Sequence, residues 1–200
     1  MYTHPVVPLV VLPAVAAAVA GAVTAPPCDA PRADELELDA GTSLAPGPGC
    51  GEWLIATDAN EGMFSWGRAR LGRDLPDAYE LRLRWQRLSA DGHRPLELHV
   101  PGGGVLIRDG SYAFYESDAR FTAEGGWRPL PGHDTRQQHE LRLVQRGMAI
   151  ELWVDGASLG SYRFTQRPES GRVRVGLKGE RGYRARARFA GPWISAAPPQ

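Results

Sequence analysis

Apolar and polar residues alternate with a period of two along much of the chain, most clearly over residues 139–164. Leu141 and Leu143 fall on one face of a first run, with Glu140 and Arg142 on the other. Met148, Ile150, Leu152 and Val154 then alternate with Ala149, Glu151, Trp153 and Asp155. Side chains of a strand point to opposite faces in turn, so each run has one apolar face to bury. Arg146-Gly147 and Asp155-Gly156 separate the runs, and Asp-Gly between alternating runs predicts a tight hairpin. Residues 79–85 repeat the pattern, with Tyr79, Leu81, Leu83 and Trp85 opposite Glu80, Arg82 and Arg84. Leu96, Leu98 and Val100 alternate likewise with Glu97 and His99. Further strands are predicted at 35–39, 53–57, 63–71, 105–108, 111–115, 171–177 and 187–194, with loops at 42–51 and 123–135. No stretch keeps a helical period, so the expected class is all-β.

Composition fits many short strands joined by tight turns: the 200 residues include 24 Gly and 17 Pro. The charge balance is even, with 23 basic and 23 acidic residues, and a nucleic-acid binder would carry a basic excess. Residues 6–23 are apolar and uncharged, and Val-Thr-Ala25 offers a small-residue cleavage site. This reads as a secretory signal peptide, although its positive n-region is missing. The expected organisation is a leader over 1–25, an N-terminal segment over 26–50, one β-sandwich domain over 51–195 and a frayed tail over 196–200. The mature protein is expected outside the cytoplasm, secreted, periplasmic or in the cell envelope, and not in a membrane. Cys28 and Cys50 are the two cysteines. In an exported chain they read as one disulfide, worth roughly 3 kcal/mol if unstrained.

The run His139-x-Leu-x-Leu, the Arg146-Gly147 turn and Ile150-x-Leu-x-Val-Asp-Gly156, closed by 171–177 and 187–194, resemble the penultimate hairpin of concanavalin A-like lectin/glucanase domains. Laminin G-like domains and the 3-keto-disaccharide hydrolase domain are among these. The resemblance implies an antiparallel two-sheet jelly-roll sandwich, and it speaks to fold rather than to function. In that sandwich the outward face of one sheet forms the groove where sugars lie. Mapping the strands in order puts Glu80, Arg82, Arg84, Glu97, His99 and Arg108 on that face, with Glu140 and Arg142 beside them. Arg82, Arg84, Glu97, His99, Arg108 and Arg142 are therefore the candidate ligand-binding residues, since the guanidinium fork suits sugar hydroxyls and carboxylates. Each residue taken singly also fits a solvated, charge-paired sheet face. Trp153 fits a packed surface aromatic better than a sugar-stacking platform.

Glycoside hydrolysis needs two carboxylates about 5–10 Å apart. The E-x-D-x-x-E strand motif of family 16 glucanases is absent, with Glu116-Ser-Asp118 the nearest approach. Tyr115-Glu116 is a faint echo of the Gly-Tyr-Glu-x-Gln stretch of 3-keto-disaccharide hydrolase domains. A nucleophile elbow and a zinc-protease motif are likewise absent. Glu97, Glu116 and His99 are the catalytic candidates if the chain is such a hydrolase. Asp58, Asn60 and Glu61 are read as an ordinary polar loop rather than a calcium site. No metal or cofactor is implied. The leading expectation is a non-catalytic carbohydrate-binding or envelope module with a glycan partner, and the alternative is a glycoside hydrolase.

Overall fold

A computed structural model describes residues 31–57, 66–72, 75–89, 94–116, 126–165, 172–179 and 184–199. A 3-10 turn at Ala33–Glu35 leads into β1 (Leu36–Leu38), β2 (Thr42–Pro46), β3 (Glu52–Thr57), β4 (Trp66–Leu71) and β5 (Ala78–Arg87). Then come β6 (Leu96–Val100), β7 (Gly103–Arg108), β8 (Ser111–Glu116), β9 (Arg128–Pro129) and β10 (His139–Arg146). The last are β11 (Ala149–Val154), β12 (Ala157–Arg163), β13 (Arg174–Lys178) and β14 (Arg186–Ala196). Among the described residues these strands form two antiparallel seven-stranded sheets. The first runs β1-β4-β13-β6-β7-β8-β9 and the second β12-β11-β10-β5-β14-β3-β2. The architecture is the expected jelly-roll sandwich.

Alternation in the sequence becomes burial between the sheets. In the second sheet Leu81 faces Leu143, Leu83 faces Leu141, and Trp85 stands between His139 and Phe189. In the first, Leu98 stands between Val175 and Val105, and Phe114 follows Val105. All of these side chains join one buried core apart from His139, which is also buried. Burying each large aliphatic or aromatic side chain contributes about 1.5–3 kcal/mol. The hairpin between β11 and β12 turns at Asp155 and Gly156, with φ of 50° and 79°, both positive as a type I′ turn requires. The Asp155 side chain also ties the turn to β10, accepting from the Glu140 N–H at 2.8 Å.

Two loop expectations are corrected. Residues 42–46 form β2, because Leu44 packs on the core beside Ile55. The strand lies on a sheet edge, where Pro46 removes no needed ladder bond. Among the described residues the strands start at Leu36. The 123–135 loop contains the two-residue edge strand β9. Ala196 belongs to β14, and the Pro198 carbonyl accepts from Arg146 Nη2 at 2.9 Å. The leader, Cys28 and the Asp58, Asn60 and Glu61 loop lie outside the described residues.

Candidate functional site

Outward-facing side chains of the first sheet line up in cross-strand rows. One row reads Arg70, Arg174, His99, Gly104, Tyr115 across β4, β13, β6, β7 and β8. The next reads Arg68, Gly176, Glu97, Leu106, Ala113. Each row has a glycine between two functional side chains. Strands two apart are separated by about 9–10 Å, so those side chains meet only across a position with no side chain of its own. Across Gly176, Arg68 Nε donates to Glu97 Oε2 at 2.7 Å. Across Gly104, His99 Nδ1 lies 2.9 Å from the Tyr115 hydroxyl. A Cβ on Gly104 would lie 2.2 Å from the Leu98 carbonyl oxygen and 3.0 Å from the Tyr115 ring. Gly104→Ala is expected to cost about 1–3 kcal/mol, as overpacking does, and a chemical-denaturation midpoint unchanged from wild type would refute this role.

The two rows join at Glu97. Tyr115 donates its hydroxyl to Glu97 Oε1 at 2.7 Å, and Arg174 Nη2 donates to the same oxygen at 3.3 Å. The Glu97 side chain is 1% exposed although it points away from the core between the sheets. Burial pushes its pKa up, but Arg174, Arg68 and the Tyr115 hydroxyl outweigh that and hold it below the usual carboxylate range. Glu97 is thus an ionised acceptor and a poor proton donor near neutral pH. Burial, followed by the Arg174 charge, lowers His99 to about 4. The Tyr115 proton is given to Glu97, so the neutral His99 ring donates from Nδ1 to the Tyr115 oxygen and keeps Nε2 as an acceptor. Burial and the Glu97 charge push Tyr115 well above its ordinary value. Several strongly perturbed groups in contact mark a functional-site candidate.

Arg108 stands on the same outward face, nearer the β9 edge. Its Nε donates to Ser111 Oγ at 2.9 Å and its guanidinium lies 3.9 Å from the Trp127 ring centroid. Trp127 is 37% exposed and stands just before β9, at the sheet edge, against Arg108.

The other sequence candidates lie elsewhere, which corrects the single groove drawn from strand order. Arg82, Arg84 and Arg142 are on the outward face of the second sheet, the opposite side of the sandwich. There a row reads Trp153, Arg142, Arg82, Trp193. Glu80 accepts from Arg82 Nε at 2.7 Å and Arg142 Nε at 2.9 Å. Arg142 lies 4.4 Å from the Trp153 ring centroid and Arg84 5.0 Å from that of Trp193. These guanidiniums are engaged within the sheet, as on a charge-paired surface. Glu116 has the inward parity of Phe114, opposite to that of Glu97. It accepts from Tyr162 at 3.1 Å and from the Thr165 N–H at 2.8 Å. Glu97 and Glu116 therefore do not converge as an acid and base on one substrate. Arg68, Arg174, Tyr115 and Trp127 were missed from the sequence. Period-two counting along 66–71, 111–115 and 174–178 gives the outward facing of the first three, and nothing in the Gly/Pro-rich stretch marks Trp127. Among the described residues no group of His, Cys, Asp and Glu side chains could hold a metal ion.

No family model and no curated protein matches the chain. Solved structures share its fold at low sequence identity. A Bacillus subtilis protein of unknown function with a galectin-like fold aligns with a TM-score of 0.61 and 7% identity, over 84% of this chain and 91% of its own. The carbohydrate-binding module CBM66 from Bacillus subtilis aligns at 0.52 and 10% identity, over 81% and 96%. A sialidase aligns at 0.55 and 11% identity over 81% of this chain, which spans 17% of the sialidase's length. The comparisons agree with the strand topology: the fold is an antiparallel two-sheet jelly-roll sandwich.

Proposed function

We propose that this protein is an exported, non-catalytic carbohydrate-binding module whose ligand lies on the outward face of the first sheet, from Arg68, Arg174 and His99 toward Arg108 and Trp127. The observation that carries the proposal is the glycine-floored cluster around Glu97, where guanidinium, imidazole and phenol groups are locked in place on the sheet face that also carries Arg108 and its Trp127 partner. Preorganised polar groups next to an aromatic face suit sugar hydroxyls and sugar ring faces. The shared fold with a carbohydrate-binding module supports the same reading. A glycan array tests it: a well-folded sample is expected to bind at least one glycan, and Trp127→Ala to weaken that binding about tenfold without shifting the melting curve. Failure of a folded sample to bind any glycan contradicts it.

Of the two resemblances read from the sequence, the proposal favours a laminin G-like binding domain over a 3-keto-disaccharide or family 16 hydrolase. The ionised, fully engaged Glu97 and the inward Glu116 favour that choice. No turnover is expected on a panel of keto-disaccharides and β-glucans, and turnover lost in Glu97→Gln would restore the hydrolase reading. Export and a Cys28–Cys50 bond belong to the same proposal. The exported fraction is expected to give an intact mass starting near Pro26 that gains two alkylatable thiols only after reduction. A full-length mass with two free thiols contradicts this.

A further inference from the structure

We infer that His99 sets the specificity of the proposed site: its Nε2 accepts a hydrogen bond from the bound sugar, so the ligand is a neutral glycan that presents a free hydroxyl there; this rests on the carbohydrate-binding reading above. The position of each proton follows from its partner. Ionised Glu97 only accepts, so Tyr115 donates its hydroxyl proton to Glu97 Oε1 at 2.7 Å. The Tyr115 oxygen then accepts from His99 Nδ1, 2.9 Å away, which places the one N–H of the neutral ring on Nδ1. Nε2 keeps its lone pair. The hydrogen bond at one ring nitrogen thus fixes the state of the other.

That lone pair is open to a ligand. Nε2 has no partner among the described residues, and it is not one of the polar atoms sealed from solvent. On the β7 side the neighbour of His99 is Gly104, which has no side chain to cover the ring. The ring also stays neutral. It is faced by Arg174 on β13, by Arg68 and Arg70 on β4, by Tyr115 on β8 and by Glu97 on its own strand. Burial, followed by the Arg174 charge, lowers its pKa to about 4, so near neutral pH Nε2 remains an acceptor. The cations around it are engaged, Arg68 and Arg174 with Glu97 and Arg70 with Asp39. A carboxylate or sulfate oxygen set against Nε2 would bring two acceptors together with no proton between them. A sugar hydroxyl supplies that proton.

Calorimetric titration of the full chain with cellohexaose, mannohexaose and galactohexaose, and with the same sugars fully O-methylated, tests this. Methylation keeps the sugar oxygens as acceptors but removes the hydroxyl donors. At least one unmodified hexaose is expected to bind, about tenfold or more tightly than its methyl ether, because the ether leaves Nε2 unpaired. His99→Asn has an amide that can keep the Tyr115 contact but does not reach the Nε2 position. It should weaken binding of the unmodified sugar about tenfold and leave that of the ether unchanged, with far-UV circular dichroism native. In the wild-type protein the His99 Nε2 resonance should be that of an unprotonated ring nitrogen and should shift when the hexaose is added, while Nδ1 stays protonated. That measurement decides the point alone if His99→Asn does not fold. An ether that binds as tightly as its parent, or an Nε2 resonance that stays still in a complex that forms, overturns the role of His99 but leaves the carbohydrate-binding reading intact. A protonated Nε2 in the free protein near neutral pH overturns it as well, as does binding of none of the hexaoses. Binding to no glycan at all removes both readings together.

Discussion

Trp85→Ala is expected to destabilise the protein by about 3–5 kcal/mol, the range for truncating a large buried aromatic. The residue is 2% exposed on β5, the strand that joins β10 to β14 in the second sheet. It lines an apolar void between the sheets with Leu83, Leu98, Leu141 and Phe189. Its ring also packs against His133 and His139, with centroids 6.0 and 5.9 Å away. Truncation would enlarge a void that two hydrogen-bonded sheets cannot easily close. Arg84, the neighbour on the opposite face, is half-buried and stacks on Trp193 at 5.0 Å, and a cation–π contact that still meets solvent is worth about 0.5–1 kcal/mol. Urea denaturation of the two single variants compares them directly. A larger loss for Arg84→Ala than for Trp85→Ala would mean that β5 is turned over, since a one-residue slip inverts every facing.

Acidification should weaken the fold well before ordinary carboxylates titrate. His99 and His133 are both lowered from 6.5 to about 4, in each case chiefly by burial, with the Arg174 charge next for His99 and His139 next for His133. The unfolded chain takes up these protons from about pH 6.5 downward while the folded chain resists until about 4, so stability is full above 6.5 and falls as pH drops across that window. The loss is on the order of 3 kcal/mol for each histidine at its upper bound. Glu97 acts in the same direction at lower pH: its depressed pKa contributes stability that is present above the unfolded value and lost as pH falls through the folded one. Equilibrium unfolding at pH 7.5, 6.0 and 4.5 is expected to show a steady decline. Equal stability at pH 7.5 and 4.5, or a gain on acidification, would contradict the buried neutral histidines.

Facing within a strand was legible in the sequence because the side-chain period of two ties burial to position. Tyr79, Leu81, Leu83 and Trp85 are inward and buried as that period requires, and the Asp155-Gly156 dipeptide makes the turn that its backbone preference predicts. Pairing between strands was not legible. Residues 79–85 and 96–100 are successive strands, yet β5 pairs with β10 and β14 while β6 pairs with β7 and β13. Nothing local in either strand encodes a crossing from one sheet to the other, so Arg82 and His99 were drawn on one face and stand on two. The same limit hid Arg174: its outward facing follows from alternation, but its position beside His99 depends on a contact 75 residues away in sequence. The glycines gave no warning either. Gly104 falls outside the predicted strands and Gly176 inside the one predicted over 171–177, and the role of each is set by what meets across it.

The central claim is that ligand binds the outward face of the first sheet. Arginine Nε–H resonances report it most directly, because the two faces carry different arginines. During titration with a glycan that binds, the Nε–H signals of Arg68, Arg174 and Arg108 are expected to shift together, while those of Arg82, Arg84 and Arg142 stay in place. Shifts confined to Arg82, Arg84 and Arg142 would put the site on the opposite sheet and contradict the account.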